Sequence, residues 1–176
     1  MNIDDKQKIK KYVIAAAGVI MKEGESGERM VLLIQRAKED HWPLHYEFPR
    51  GKCDKGPNEK VLDCLEREVK EETGLDIVPI KFIDKFQYVA DEGKRLTTCY
   101  NYLCKMKDEN QTIKLSKEHE DFKWITEVGQ AELMALPDQK TTIEKVLNPD
   151  RAIVDEPENT FTPDEKLEEI LNRIQC

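Results

Sequence analysis

The chain has 176 residues, with 28 Lys and Arg against 36 Asp and Glu, for a formal net charge of -8. That length suits one domain with a sound core, and the acidity argues against non-specific nucleic-acid binding. Mean hydropathy is -0.69 and 36% of residues are charged; no apolar run approaches the ~20 residues of a membrane-spanning helix, and the polar start MNIDDKQKIKKY lacks a signal-peptide pattern. The five cysteines (Cys53, Cys64, Cys99, Cys104, Cys176) are odd in number and form no CxxC pair, which suits reduced thiols in a cytoplasm better than a disulfide framework or a zinc site.

Residues 12–21 (YVIAAAGVIM) predict a strand, residues 23–29 a polar loop and residues 30–35 (MVLLIQ) a second strand, so the pair reads as a hairpin. The small residues Ala15, Ala16, Ala17 and Gly18 suit either a close ligand or backbone, or packing against a helix. Arg36 reads as a solvated surface arginine in preference to a phosphate ligand. His41 and His45, in the ring-rich stretch HWPLHYEFPRG, read as surface histidines, because a hard cation prefers oxygen.

Residues 51–75 organise the chain. Pro57 and Asn58 predict a helix start. Val61, Leu65 and Val69 form an apolar stripe, and Gly74 supplies the stop. Between these marks Glu68, Glu71 and Glu72 fall on one side of the helix. Clustered carboxylates repel, so the arrangement calls for a cation, and oxygen-only ligands suit Mg²⁺ or Mn²⁺.

Further on, residues 77–83 (IVPIKFI) predict a strand that Pro79 makes an edge or irregular one. Residues 85–90 predict another strand, residues 91–94 a turn and residues 96–106 a strong strand. On that last strand Thr98, Tyr100 and Tyr102 share a face, with Tyr88 placed beside them across the hairpin; these tyrosines suit either base stacking or cross-strand packing. Phe122 and Trp124 alternate as a strand entering the core, after a loop carrying Glu118. Residues 126–136 and 141–147 read as two helices split by Pro137-Asp138. Residues 148–159 read as an acidic loop. Thr162-Pro163-Asp164-Glu165 starts a helix whose face of Leu167, Ile170, Leu171 and Ile174 is expected to pack on its own domain, leaving a monomer.

The run Arg67-Glu68-Val69-Lys70-Glu71-Glu72-Thr73-Gly74-Leu75, with Glu59 seven residues before Arg67, resembles the Nudix box. Seven residues in place of five separate Gly51 from Glu59, a two-residue insertion around Lys55-Gly56-Pro57. Leu115, Ser116, Glu118, His119, Phe122, Lys123 and Trp124 are similar to a stretch of the diadenosine tetraphosphate hydrolases of that superfamily. The resemblance runs from about residue 10 to residue 147. It implies an α/β fold, a Nudix-type α/β/α sandwich with a mixed β-sheet, here with an added C-terminal helix. The domain spans 1–147, with 148–176 an acidic loop and helix packed on it. It implies Glu68 and Glu72 as metal ligands, Glu71 as ligand or base, the Gly51 carbonyl as a further ligand, and Glu118 as ligand or base. Arg67 and Glu59 are implied to be structural. Arg50 is expected to clamp a phosphate, since a guanidinium can bond it in parallel; Lys52, Tyr88, Tyr100 and Tyr102 complete the expected substrate contacts.

The implied activity is Mg²⁺- or Mn²⁺-dependent hydrolysis of a phosphoanhydride in a nucleoside diphosphate-linked compound, dinucleoside polyphosphates first, in the cytoplasm. Phe48-Pro49-Arg50-Gly51-Lys52, with Asp63-Cys64, resembles mRNA-decapping members. RNA decapping or 5′-pyrophosphate removal, with RNA as substrate, is therefore an alternative. Nucleoside triphosphate pyrophosphatase activity and a non-enzymatic nucleotide-binding module are others.

Overall fold

The computed structural model describes residues 9–148 except 41, 57 and 58. The expected C-terminal helix, Pro57, Asn58 and His41 lie outside the described residues. In chain order the strands are β1 (Lys11–Glu23), β2 (Arg29–Arg36), β3 (Tyr46–Glu47), β4 (Arg50–Lys52), β5 (Ile77–Ala90), β6 (Arg95–Met106) and β7 (His119–Ile125). The helices are α1 (Val61–Thr73) and α2 (Asp138–Leu147), with a 3-10 turn at Val128–Gln130.

The strands form one sheet in the order β3-β2-β1-β6-β5, with β4 added to β1 and β7 to β2. β1 and β6 run parallel, Lys11 through Ile20 against Arg95 through Cys104, and the other pairings are antiparallel. The sheet is therefore mixed, as expected. β1 is the spine: its successive segments pair with β6, β4 and β2. A strand at the centre of a sheet covered on both faces must be apolar on both sides. That explains YVIAAAGVIM as a near-continuous run.

Two cores lie on the two faces. Ile14, Ala16 and Ile20 meet Val61, Cys64, Leu65 and Val69 of α1, while Ala15, Ala17, Val19 and Met21 meet Ile143 and Val146 of α2. This two-residue alternation assigns each strand residue to one helix. Gly18 settles the choice left open for the small-residue stretch: a Cβ there would lie 2.8 Å from Val69 Cγ2, so the glycine lets α1 sit close on β1. The space serves helix packing.

Four expectations change. The runs 77–83 and 85–90 are one strand, β5, which is an edge strand with register shifts between Pro79 and Lys81 and between Phe82 and Asp84. The bulges absorb Pro79, which has no N–H for the ladder. Residues 126–136 do not form the expected helix. Gln130 Oε1 takes the N–H groups of Thr126 and Glu127, Leu133 adopts φ 48, and the backbone instead bonds Tyr46 through Leu133 O and Ala135 N. Tyr88 pairs with Thr97, and Tyr100 with Lys85. Tyr88 therefore joins the α2-side core while Tyr100 and Tyr102 join the α1 side, so the three rings do not share a face. Register, which residue counting along a single strand cannot give, decides this. Finally, Cys53 and Cys64 form a disulfide with a Cα–Cα distance of 5.2 Å, contrary to the expectation of reduced thiols. The fold brings the β4 loop over the inner face of α1, and no CxxC spacing is required for that. Cys99 and Cys104 are free, buried thiols.

Candidate active site

α1 starts at Val61 with Lys60 as its cap and no side-chain capping bond, three residues past the expected Asn58. It ends as expected: Gly74 takes a left-handed φ of 72, and its N–H bonds Lys70 O. Val61, Cys64, Leu65, Val69 and Thr73 are buried. The 3.6-residue repeat then directs Glu68, Glu71 and Glu72 along the flank of the helix, toward β4 and the turn before β7.

Arg67 organises the outer part of this flank. Its guanidinium donates to Glu59 Oε1 at 2.9 Å, to Glu68 Oε1 at 2.5 Å and to Lys52 O at 3.0 Å, and it lies 3.5 Å from Glu71 Oε2. Glu59 in turn accepts the Lys55 N–H at 2.9 Å. The longer loop thus still allows the Glu59–Arg67 brace, although Glu59 stands before the helix and not in it.

Gly51 lies directly against Glu68. A Cβ on Gly51 would come within 1.9 Å of Glu68 Oε2, so any side chain here would have to displace that carboxylate. β4 holds it there through its pairing with Ala15, Ala16 and Ala17 of β1. On the inner side, Glu72 Oε2 accepts the Arg50 N–H at 2.8 Å, and Glu72 O accepts the Ser116 N–H at 3.0 Å. The second contact brings the turn carrying Glu118 to the end of α1. Glu118 is exposed, and its carbonyl accepts the Ala37 N–H at 2.9 Å.

The electrostatics follow from these positions. Burial pushes the Glu72 carboxyl well above the ordinary carboxylate value, and the nearby negative charge of Glu47 pushes it the same way, against the pull of the Arg50 N–H. Burial also raises Glu68, partly offset by Arg67. Two carboxyls with raised affinity for a proton sit where a cation would be equally welcome. Arg67 shows that effect by drawing Glu68 and Glu71 to one positive charge. In this conformation Glu68 and Glu71 share Arg67 while Glu72 takes the Arg50 N–H, and among the described residues no three His, Cys, Asp or Glu side chains gather around a common point. The donors nonetheless fit a hard cation: they are all oxygen, and Glu68 and the Gly51 backbone are in contact.

The expected substrate residues are dispersed. The Arg50 guanidinium is largely buried, donating to Glu47 Oε2 at 2.7 Å and to Tyr88 Oη at 2.7 Å. Lys52 is exposed at the mouth of the loop. Tyr100 is 6% exposed beneath α1, where Phe82 packs on it and on Tyr102. Tyr88 remains partly accessible beside Phe86. His45 is partly exposed, its Nδ1 2.9 Å from Pro43 O.

Two residues were missed or misassigned. Arg36 is not a solvated arginine: it pairs with Glu47 and, at 2.6 Å, with Asp40. Glu47 is 2% exposed between Arg36 and Arg50, with His119 Nε2 3.9 Å away. Burial alone would raise Glu47, but Arg50, the His119 ring and Arg36 together bring it down to about 2. The available signal was the alternation of Glu47 with apolar neighbours in YEFPR, a charge where a core position was due.

An acidic helix flank held against a glycine loop, beneath a mixed sheet clad by two helices, defines a hydrolase of the Nudix class. The NUDIX domain family matches residues 12–146, and the chain belongs to that family as a Nudix hydrolase, acting on pyrophosphate bonds. The chain is 32% identical over 118 residues to the Mus musculus bis(5′-nucleosyl)-tetraphosphatase [asymmetrical], covering 65% of this chain and 76% of that protein. A Caenorhabditis elegans Ap4A hydrolase binary complex superposes with a TM-score of 0.63 at 25% identity, over 76% of this chain and 94% of that one. The Saccharomyces cerevisiae m7GpppN-mRNA hydrolase is 38% identical over 82 residues, which is 47% of this chain and 7% of that protein. Among the described residues no helix is long and apolar enough to cross a membrane.

Proposed function

We propose that this Nudix hydrolase cleaves dinucleoside polyphosphates, with diadenosine tetraphosphate as the leading substrate. The observation that carries this is the joint placement of the box and the 115–124 stretch. The Ser116 N–H bonds Glu72 O, which supports reading the segment that resembles the tetraphosphate hydrolases as part of the acidic site. The mouse and nematode relatives support the same substrate class.

The Gly51 carbonyl, Glu68, Glu71 and Glu72, joined by Glu118, would hold Mg²⁺ or Mn²⁺. When bound, such an ion neutralises phosphate charge and polarises phosphorus. The chain's own groups do the rest. Glu71, whose side chain is 54% exposed, is the accessible carboxylate for taking a proton from the attacking water, and Glu118 is the other. Lys52 stands at the mouth to meet the anionic chain. Arg50 places its positive charge behind Glu72 while its backbone orients that carboxylate. Tyr88, partly accessible beside Phe86, is the candidate for base stacking.

A second activity, removal of a cap or 5′ pyrophosphate from RNA, is favoured by the yeast relative and by the run Phe48-Pro49-Arg50-Gly51-Lys52. The net charge of -8 weighs against it. The deciding experiment offers diadenosine tetraphosphate, capped RNA, 5′-triphosphorylated RNA and nucleoside triphosphates to the full chain with Mg²⁺ in ¹⁸O-labelled water. Fast asymmetric cleavage of the dinucleotide is expected. An intact dinucleotide beside a rapidly cleaved competitor rejects the substrate assignment. Binding without turnover of any of them would identify a non-catalytic module.

The Glu72→Gln variant tests the acidic site. Turnover should fall roughly a hundredfold or more, as when one preorganised electrostatic group is removed. Folding should be unharmed, because the substitution removes a charge that burial already disfavours. Near-normal turnover would remove Glu72 from the site.

A further inference from the structure

We infer that Glu47, outside the acidic box, is the positioning residue of this site: its carboxylate gathers Arg36, Arg50 and His119, and so fixes the two backbone segments that flank Glu72. The inference rests on the proposed reading of the α1 flank as the catalytic site.

The residues converge from separate elements. Arg36 closes β2, Arg50 opens β4 and His119 opens β7. All three point at Glu47, which is 2% exposed. Each brings a piece of the site with it. Arg50 carries the N–H that Glu72 Oε2 accepts, and the next residue is Gly51. His119 lies within a turn in which Ser116 Oγ is 3.2 Å from His119 Nδ1, and the Ser116 N–H bonds Glu72 O. Arg36 is followed by Ala37, whose N–H holds Glu118 O. Thus one buried carboxylate ties together the supports of Gly51, Glu72 and Glu118.

Net stability does not account for this arrangement. A buried ion pair contributes little beyond its desolvation cost, and apolar side chains of equal volume commonly do as well. What the network adds is position. Two cations share one carboxylate, with fixed donor geometry on each side, and a guanidinium loses little freedom per bond formed. Site residues held by such a surrounding shell keep their geometry through the reaction.

The test compares Glu47→Gln and Glu47→Asp with the native chain, using the fastest-cleaved nucleotide of the panel. The readouts are kcat, KM, the Mg²⁺ concentration giving half-maximal activity, and the melting temperature. Glu47→Gln should lower kcat on the order of 10- to 100-fold, the cost of small misplacement. It should also raise the Mg²⁺ requirement and leave KM close to native. Glu47→Asp, which keeps the charge one methylene short, should recover part of kcat. A folded Glu47→Gln with native kcat and native Mg²⁺ requirement, differing only in melting temperature, overturns the inference. If Glu47→Gln does not fold, Glu47→Asp decides on the same readouts. An active Glu72→Gln would overturn the site reading and this inference together. An inactive Glu72→Gln beside a fully active Glu47→Gln would overturn this inference alone.

Discussion

At Gly51 the demands of packing and chemistry coincide. Its missing side chain leaves room for Glu68 Oε2, which would otherwise lie 1.9 Å from a Cβ. Gly51→Ala must push the Glu68 carboxylate aside, an easy movement for a flexible side chain but a damaging one for the ligand role proposed for Glu68. Activity should fall at least about tenfold while the melting temperature changes little, since misplacement by an ångström costs rate more than stability. Steady-state kinetics and thermal melts on the same preparation check this; unchanged activity would show that Glu68 does not act from this position.

Glu47 makes a prediction about acid. Its folded value of about 2 lies below the ordinary 4.5. A group depressed on folding contributes stability above its unfolded value and loses it as pH falls through the folded one. Glu68 and Glu72 have the opposite sign, because their raised carboxyls favour folding as they take up protons. The Glu47 contribution should therefore be present at pH above about 4.5 and vanish toward about 2, with the slope in that window lost in Glu47→Gln. Urea midpoints measured across the window are the check. An identical slope in the variant would mean that Glu47 is not held ionised by its neighbours.

Among the elements, α1 and β4 form the working pair. α1 is fixed to β1 by the Gly18–Val69 approach, and β4 is fixed to β1 by backbone pairing. The Cys53–Cys64 disulfide adds a covalent tie between the β4 loop and the inner face of α1. Its partners are separated by 11 residues in sequence. Closing a loop of this size restricts the unfolded chain by up to about 3 kcal/mol. Dithiothreitol should therefore lower the melting temperature by roughly 5–10 °C for a chain of this size. A Cys53→Ser/Cys64→Ser variant should melt at that lower temperature and ignore the reductant. A native melting temperature that does not respond to dithiothreitol would show that the bond adds nothing. Cys99 and Cys104 take no part, as burial raises both thiols and pushes Cys99 up to about 12.

For the whole molecule, charge is the main constraint. An acidic protein must act on an anionic substrate, and its site adds carboxyls whose ionisation burial opposes. A divalent cation relieves both difficulties, so it should bind the folded chain and stabilise it by mass action. At a hundred times the dissociation constant the gain is about 2.7 kcal/mol. Mg²⁺ or Mn²⁺ should raise the native melting temperature, and the rise should largely disappear in Glu68→Gln/Glu72→Gln. Calorimetry with each ion, without nucleotide, tests this. An equal rise in the variant would place the ion elsewhere.

Sequence alone was enough for the features that depend on spacing along one element. The stripe of Val61, Leu65 and Val69, the carboxylates between them and the stop at Gly74 all follow from helical periodicity. The β1–β2 hairpin follows from two apolar runs around a polar loop, and the long strand through Tyr100 follows from alternation. The bracing of Arg67 by Glu59 also lay within local reach. What required the folded chain was every relation between elements. Register put Tyr88 on the face opposite Tyr100, the β4 loop brought Cys53 onto Cys64, and pairing with Tyr46 took residues 126–136 out of a helix. The convergence of Arg36, Arg50 and His119 on Glu47 came the same way. Periodicity tells which side of its own element a residue occupies. Which neighbour covers that side is decided by strand order and register, and no short window of sequence contains these.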